Sequence, residues 1–296
     1  MSVNIPTHFV QQYSTNIQLL LQQKGSKLRN AVMVGSHVGK QASPVDQIGK
    51  VEMQPVSGRF NPMARVDAAM DRRWVTPSDF DLPQLIDDFD KLRLITDPSS
   101  AYVQNAVMAA GRQFDKLICA AFTGTAKTGE TGSTSTSFTA ANEVDVAVGG
   151  ANSKLNVAKL KAVKELMMAK FVDFDQEEVY VGITAADHAA LLNEIQVVSL
   201  DFNAKPILVD GKVTEFLGFK LIHCELIETA LAGTNEVTLP VWAKSGMHLG
   251  LWNDIQNTVS RRNDLQGEPW QLYTKMTAGA TRLEEDKVYA IESYRA

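Results

Sequence analysis

The 296-residue chain has only two cysteines, Cys119 and Cys224, and no CxxC pair, so neither a disulfide framework nor a cysteine-based zinc site can be built from it. Both stand in apolar surroundings and are expected to be buried, reduced thiols. Long apolar runs are missing as well. No stretch approaches the roughly 20 residues that a membrane-spanning helix needs, and Leu19, Leu20 and Leu21 run straight into glutamines. The first ten residues contain no Lys or Arg and include Asn4, Thr7 and His8, unlike the basic start of a signal peptide, so the protein is expected to stay where it is made. Positive charge is in short supply: 29 Lys and Arg against 34 Asp and Glu leave a net charge of −5. That excludes the broad basic surface by which a protein coats nucleic acid through phosphate contacts. What is present, 45% hydrophobic and 21% charged residues, is the balance of a globular chain long enough for two cores.

Along the chain, Ile5, Phe9, Tyr13, Ile17 and Leu20 or Leu21 keep helical spacing between Pro6 and Gly25, predicting an amphipathic helix. Leu28 to Val34 reads as a strand. From Gly35 to Pro83 no period is sustained and Pro44, Pro55, Pro62 and Pro77 interrupt, although Gln47 to Gln54 and Met70 to Thr76 can form the arms of a long hairpin. An excursion of this length needs a role outside its own domain. Asp97-Pro98 is a helix start, and Tyr102, Ala106, Ala110, Phe114, Leu117, Ile118 and Ala121 carry one long helix over 98–122, about 37 Å at ~1.5 Å per residue. Gly111 inside it predicts the close passage of another backbone. Thr123 to Asn156, rich in Gly, Thr and Ser, is either a mobile loop or a glycine-rich ribbon, and divides the chain in two. Beyond it come a helix marked by Val157, Leu160, Val163, Met167 and Phe171 and an alternating strand at Val179, Val181 and Ile183. A short helix follows, opened by Thr184 and Asp187 as in a capping box and bearing His188, Leu191, Leu192 and Ile195. A hairpin turning at Asp210-Gly211 and strands at Phe219–Cys224, Val237–Trp242, Gly246–Leu251, Gln271–Thr277 and Lys287–Ser293 complete an α+β fold.

Chemical motifs fail on inspection. Gly124 to Thr131 approaches a phosphate-binding loop, but Glu130 stands where Lys is required and the segment leaves a helix instead of a strand. The acidic run from Asp79 to Asp90 lacks the glycine and glutamate of a calcium loop. His8, His37, His188, His223 and His248 are scattered singly, and Ser36-His37 or Ser199 to Asp201 supply no nucleophile elbow. No metal, cofactor or catalytic residue is assigned, and no enzyme activity is expected. Arg72-Arg73 with Trp74, and Arg261-Arg262, fit subunit contacts better than phosphates, because adjacent residues on a strand point to opposite faces.

Arg73-Trp74-Val75-Thr76-Pro77, Phe80 to Asp87, Asp90-Lys91, Asp97-Pro98 with Tyr102, and Gly111-Arg112 with Asp115 resemble the segment leading into and along the spine helix of tailed-phage major capsid proteins. Leu192-Asn193-Glu194, Val209 to Lys212, Phe216 to Phe219 and Gly279-Ala280-Thr281-Arg282 resemble the same family's axial domain and last strands. The resemblance runs from about residue 30 to the end and rests on the order of short motifs. It implies the Hong Kong 97-type fold: an N-terminal arm at 1–34, an extended loop region at 35–83, a peripheral domain at 84–150 with the spine helix, a mainly axial part at 151–255, and a return to the peripheral domain at 256–296. It also implies that the extended loop reaches over a neighbouring subunit, with Lys50, Arg59, Arg65, Arg72, Arg73 and Trp74 as the contact residues. Hexamers and pentamers would close an icosahedral head around double-stranded DNA, with a separate scaffolding protein, a portal and a decoration protein as further partners. The chain would be assembled in the host cytoplasm and end in the virion, touching neither membrane nor specific DNA sequence. A container does not need the basic surface missing here. The competing readings are a nanocompartment shell of the same fold and an uncharacterised α+β enzyme.

Overall fold

The computed structural model describes residues 22–39, 43–55, 58, 65–86, 99–150, 152–194, 208–209 and 212–295. The expected N-terminal helix, the Asp97-Pro98 helix start, Ile195 and the Asp210-Gly211 turn lie outside the described residues. In chain order come β1 (Met33–Ser36), β2 (Ser43–Ile48), β3 (Met70–Val75), β4 (Ser78–Ile86) and the helix α1 (Ser99–Thr123). Then follow β5 (Ala126–Thr128), β6 (Thr134–Thr136), β7 (Glu143–Val144), α2 (Val157–Ala169), β8 (Val179–Ile183) and α3 (Ala185–Leu192). The short strands β9 (Leu208–Val209), β10 (Lys212–Val213) and β11 (Glu215–Phe216) lead to β12 (Phe219–His223) and α4 (Leu226–Ala230). Long strands close the chain: β13 (Glu236–Ala243), β14 (Met247–Arg261), β15 (Trp270–Arg282) and β16 (Val288–Tyr294).

These strands form three main sheets. One, in the order β1-β14-β15-β4, carries α1 on one face; a second, β11-β12-β8-β13-β16-β7, is packed against α2; the third is β2-β3-β5-β6. α1 docks through Ala106, Ala110, Phe114, Ile118 and Phe122, all buried and spaced four apart, while Leu117 at the edge of the stripe is half-buried. Beside that stripe, a Cβ on Gly111 would lie 2.5 Å from the Gly25 carbonyl carbon, so the predicted close passage is made by the arm segment. Asp115, fully buried one turn further on, accepts the backbone N–H groups of Lys27 and Leu28 at 2.9 and 3.0 Å and the Ser26 hydroxyl at 2.5 Å. Arg112 reaches the Gln22 amide oxygen at 2.7 Å. The Gly111-Arg112 and Asp115 motif is thus a seat for residues 22–28, one glycine wide.

Several expectations change. Leu28 to Val34 is a 3-10 turn, Arg29–Ala31, followed by the short β1. The capture of the Lys27 and Leu28 N–H groups by Asp115 leaves the first half of that segment no ladder to join. β8 does not alternate: all five residues are buried, because both faces of this central strand are covered. α2 ends at Ala169, and Phe171, expected on its apolar face, sits at φ 64° with 90% of its surface exposed. Thr184 makes no backbone cap; its hydroxyl donates to the buried Asp187 carboxylate at 2.7 Å. That carboxylate is paired with Arg295 at 2.5 Å. Both cysteines are free and buried, as expected. No helix among the described residues is long and apolar enough to cross a membrane.

Candidate assembly interface

The excursion between β1 and β4 is built as expected from two antiparallel arms, with Ser43 opposite Val75 and Ile48 opposite Met70. The second arm falls where expected, but the first is Ser43–Ile48 and not Gln47 to Gln54, so only Gln47 and Ile48 of the expected arm join the ladder. At its base the hairpin joins the short β5–β6 ribbon, through Arg73 opposite Thr128 and Trp74 opposite Lys127. The glycine-rich stretch after α1 is therefore a ribbon and extends this sheet. The Trp74 indole N–H donates to the Gly129 carbonyl at 2.7 Å, and the Gln47 side-chain amide donates to the Leu283 carbonyl at 2.8 Å.

Arg282 ties the base to α1. Its guanidinium is fully buried, donates to the carbonyls of Phe122 and Gly124 at 2.6 and 2.9 Å, and pairs with Glu285 at 2.7 Å. Carbonyls at a helix C-terminus have no partner of their own, and a cation there also meets the negative end of the helix dipole. Glu285 further holds the buried Arg73 at 3.5 Å. Just before Arg282, a Cβ on Gly279 would lie 2.1 Å from the Thr76 carbonyl oxygen, so the strand leaving the hairpin crosses β15 where only glycine fits. The Gly279-Ala280-Thr281-Arg282 run is thus both the crossing point and the helix anchor.

Away from this base the hairpin carries apolar side chains with nothing over them. Ile48 is 75% and Met70 81% exposed, Met53 is fully exposed, and Val51 and Val66 are also in the exposed class. A second exposed apolar group, Met33, Val34 and Val38, runs along the edge strand β1 and just beyond it. Large apolar groups gathered on reaching segments mark an interaction surface.

The six expected contact residues divide. Lys50 and Arg65 are exposed on the hairpin; Lys50 pairs loosely with Glu52 at 3.6 Å, and Arg65 donates to Asp67 at 2.7 Å. Arg72 pairs across the hairpin with Asp46 at 2.6 Å and lies over the Trp74 ring. Arg73 is buried against Glu285, and Trp74 is half-buried with its indole N–H on Gly129. Arg59 lies outside the described residues. Met53 and Met70 were missed because they stand in no period that marks a face. The histidines are not all single either: His37 and His248 meet, 211 residues apart in sequence. Among the described residues no cluster of three or more His, Cys, Asp or Glu side chains could hold a metal ion. Gly124–Thr131 spans β5 and the start of its turn into β6, a strand and hairpin turn and not a phosphate loop.

The sequence profile of the family described as phage capsid protein matches residues 5–294. No curated protein matches the sequence. Among solved structures, the chain is similar to the capsid of cyanophage P-SCSP1u, with a TM-score of 0.73 at 15% identity, covering 100% of this chain and 97% of that one. It is also similar to the capsid asymmetric unit of cyanophage Pam1, at 0.71 and 13% over 100% and 99% of the two chains. The acid-stable capsid of Helicobacter pylori bacteriophage KHP30 gives 0.70 and 11% over 99% of each. At these identities the likeness is one of fold, the Hong Kong 97-type arrangement of a long helix on a sheet beside a second, mixed sheet. The profile covers nearly the whole length and points to a structural, non-enzymatic role, and by it the chain belongs to the phage capsid protein family.

Proposed function

We propose that the chain acts as the major capsid protein of a tailed phage, assembling into hexamers and pentamers that close an icosahedral head around double-stranded DNA. The observation that carries this reading is the hairpin, fixed at its base by Trp74, Gln47 and the Arg282 network while Ile48, Met53 and Met70 stand uncovered beyond it. A monomer gains nothing from such a projection. A neighbour's body covering it gains apolar burial, about 25 cal/mol for each Å² removed from water. Lys50 and Arg65 fit the rim of that contact, where exposed ion pairs set register more than strength.

In this reading α1 with the β1-β14-β15-β4 sheet is the peripheral part and the six-stranded sheet the axial part; of residues 256–296, expected to return to the peripheral domain, β16 instead pairs with β13 in the axial sheet. A scaffolding protein, a portal and a decoration protein are the partners the family likeness suggests, with assembly in the host cytoplasm before the shell becomes part of the virion. A nanocompartment reading has no observation in its favour. The test is negative-stain microscopy of the protein expressed with and without a scaffold. Closed shells, tubes or capsomers are expected, and a stable monomer at high concentration under every condition overturns the reading.

A further inference from the structure

β1 is an edge strand, held to the molecule by its parallel pairing with β14, where Met33 lies opposite His248 and Ser36 opposite Leu251. At the end of this pairing the Nε2 atoms of His37 and His248 are 2.8 Å apart. The His37 ring stacks on Trp252 with centroids 5.0 Å apart and meets the His248 ring edge-on. The two strands are shaped around the pair. A Cβ on Gly35 would lie 2.6 Å from His248 Cε1, and one on Gly250 would lie 2.6 Å from His37 Cδ2. His248 is only 7% exposed.

A bond between two Nε2 atoms needs a proton on one and a lone pair on the other, so it exists only while at least one ring is neutral. Protonating both removes the bond and sets two like charges 2.8 Å apart, one of them on the buried His248. The charged groups of the surrounding elements are already engaged. Asp254 of β14 is held by Arg29, Arg282 of β15 is turned to α1 and Glu285, and Lys244, in the turn between β13 and β14, pairs with Glu178. β1 itself brings no charge.

We propose that His37 and His248 form an acid-sensitive latch, which holds the strand that follows the amino-terminal arm onto β14 at neutral pH and releases it when both imidazoles are protonated. Burial pushes His248 down to about 4, with His37 adding to the shift, and burial lowers His37 as well. A base whose folded value is depressed contributes stability that is complete above its ordinary value of 6.5 and is lost as the pH falls from there toward 4. The latch thus opens across mildly acidic pH, while the ladder between β13 and β16, which does not include the pair, stays closed.

The test is hydrogen exchange by mass spectrometry on the full chain between pH 7.5 and 4.5, with exchange times scaled for the intrinsic pH dependence. Protection of peptides spanning Met33–His37 is expected to fall ten-fold or more relative to peptides of β13 and β16. In His248→Gln the same comparison should change less than three-fold, and His248→Met serves as a second variant if the first does not fold. Unchanged protection of wild-type β1 at pH 4.5 overturns the proposal. So does an equal loss in a folded variant, or a loss that β13 and β16 share.

Discussion

Arg282 lies without solvent exposure among the carbonyls of Phe122 and Gly124 and the Glu285 carboxylate, and Arg73 approaches the same carboxylate from the hairpin. The two arginines share a partner but differ in what they satisfy. Arg282 closes the last turn of α1 as well as the ion pair, so removing it leaves buried carbonyls and a carboxylate with fewer donors. Arg73 makes one long contact, and its Nε and Nη1 atoms are buried without a hydrogen bond. Arg282 is better satisfied, with only its Nη2 lacking a hydrogen bond. Breaking a well-bonded buried pair is costly, whereas replacing an ill-satisfied side chain with an apolar one of like volume is near neutral. Arg282→Met should lower unfolding stability by about 3–5 kcal/mol, and Arg73→Met by about 1 kcal/mol or less. Urea unfolding followed by circular dichroism measures both, and equal losses would mean that the helix carbonyls do not matter.

Among the elements, β7 is one of the least paired: two residues, parallel to β16 at the edge of the six-stranded sheet. Glu292 of β16 sits there, accepting the Thr238 hydroxyl at 2.8 Å, and burial together with the adjacent Glu143 pushes its carboxyl up to about 7. Between the ordinary value of 4.5 and about 7 the folded state holds a proton that the unfolded state has lost. This contribution is therefore fully present below 4.5 and disappears as the pH rises through 7. Glu292→Gln keeps a neutral side chain at every pH, so it should match wild type at pH 5 and exceed it by about 1–2 kcal/mol at pH 8. Urea midpoints at the two pH values give the comparison, and a variant with the wild-type profile would show that another group sets it. Nothing in the sequence marks Glu292, because its neighbours Glu143 and Glu236 come from other strands. The same holds for Lys159, buried in α2 with its ammonium on the carbonyls of Ser153 and Glu292 at 2.7 Å, and for the Asp187–Arg295 pair. Local signals served where local physics decides. The four-residue stripe from Ala106 to Phe122 fixed α1 to within one residue at each end, and Gly111 announced its neighbour. β8 was misread as alternating because periodicity sees one solvent-facing side that this strand does not have.

For the whole molecule, the hairpin separates folding from association. The described residues between 49 and 69 lie beyond the ladder of β2 and β3, and none of them belongs to the buried core described above. Replacing them with a short Gly-Ser turn changes loop-closure entropy by only about 0.6 kcal/mol per halving of length, so the subunit should keep its helix and strand content. It should also lose the apolar cover it offers a neighbour and stop at monomers or small oligomers. Circular dichroism with sedimentation velocity reads both outcomes. An unfolded deletion variant would place the hairpin in the core, and normal shells would show that it bridges no subunits.

The position of β16 carries a different consequence, for synthesis. It lies between β13 and β7, so until residues 288–295 have left the ribosome β7 has no ladder, one side of β13 is bare and Asp187 lacks Arg295. β15, which holds the Arg282 anchor of the hairpin base, emerges only a little earlier. At a translation rate of about 5–20 residues per second, most of the chain waits several seconds for the strands that complete its two larger sheets. A nascent chain whose β16 has not yet emerged therefore cannot present a finished surface to its neighbours on the same messenger.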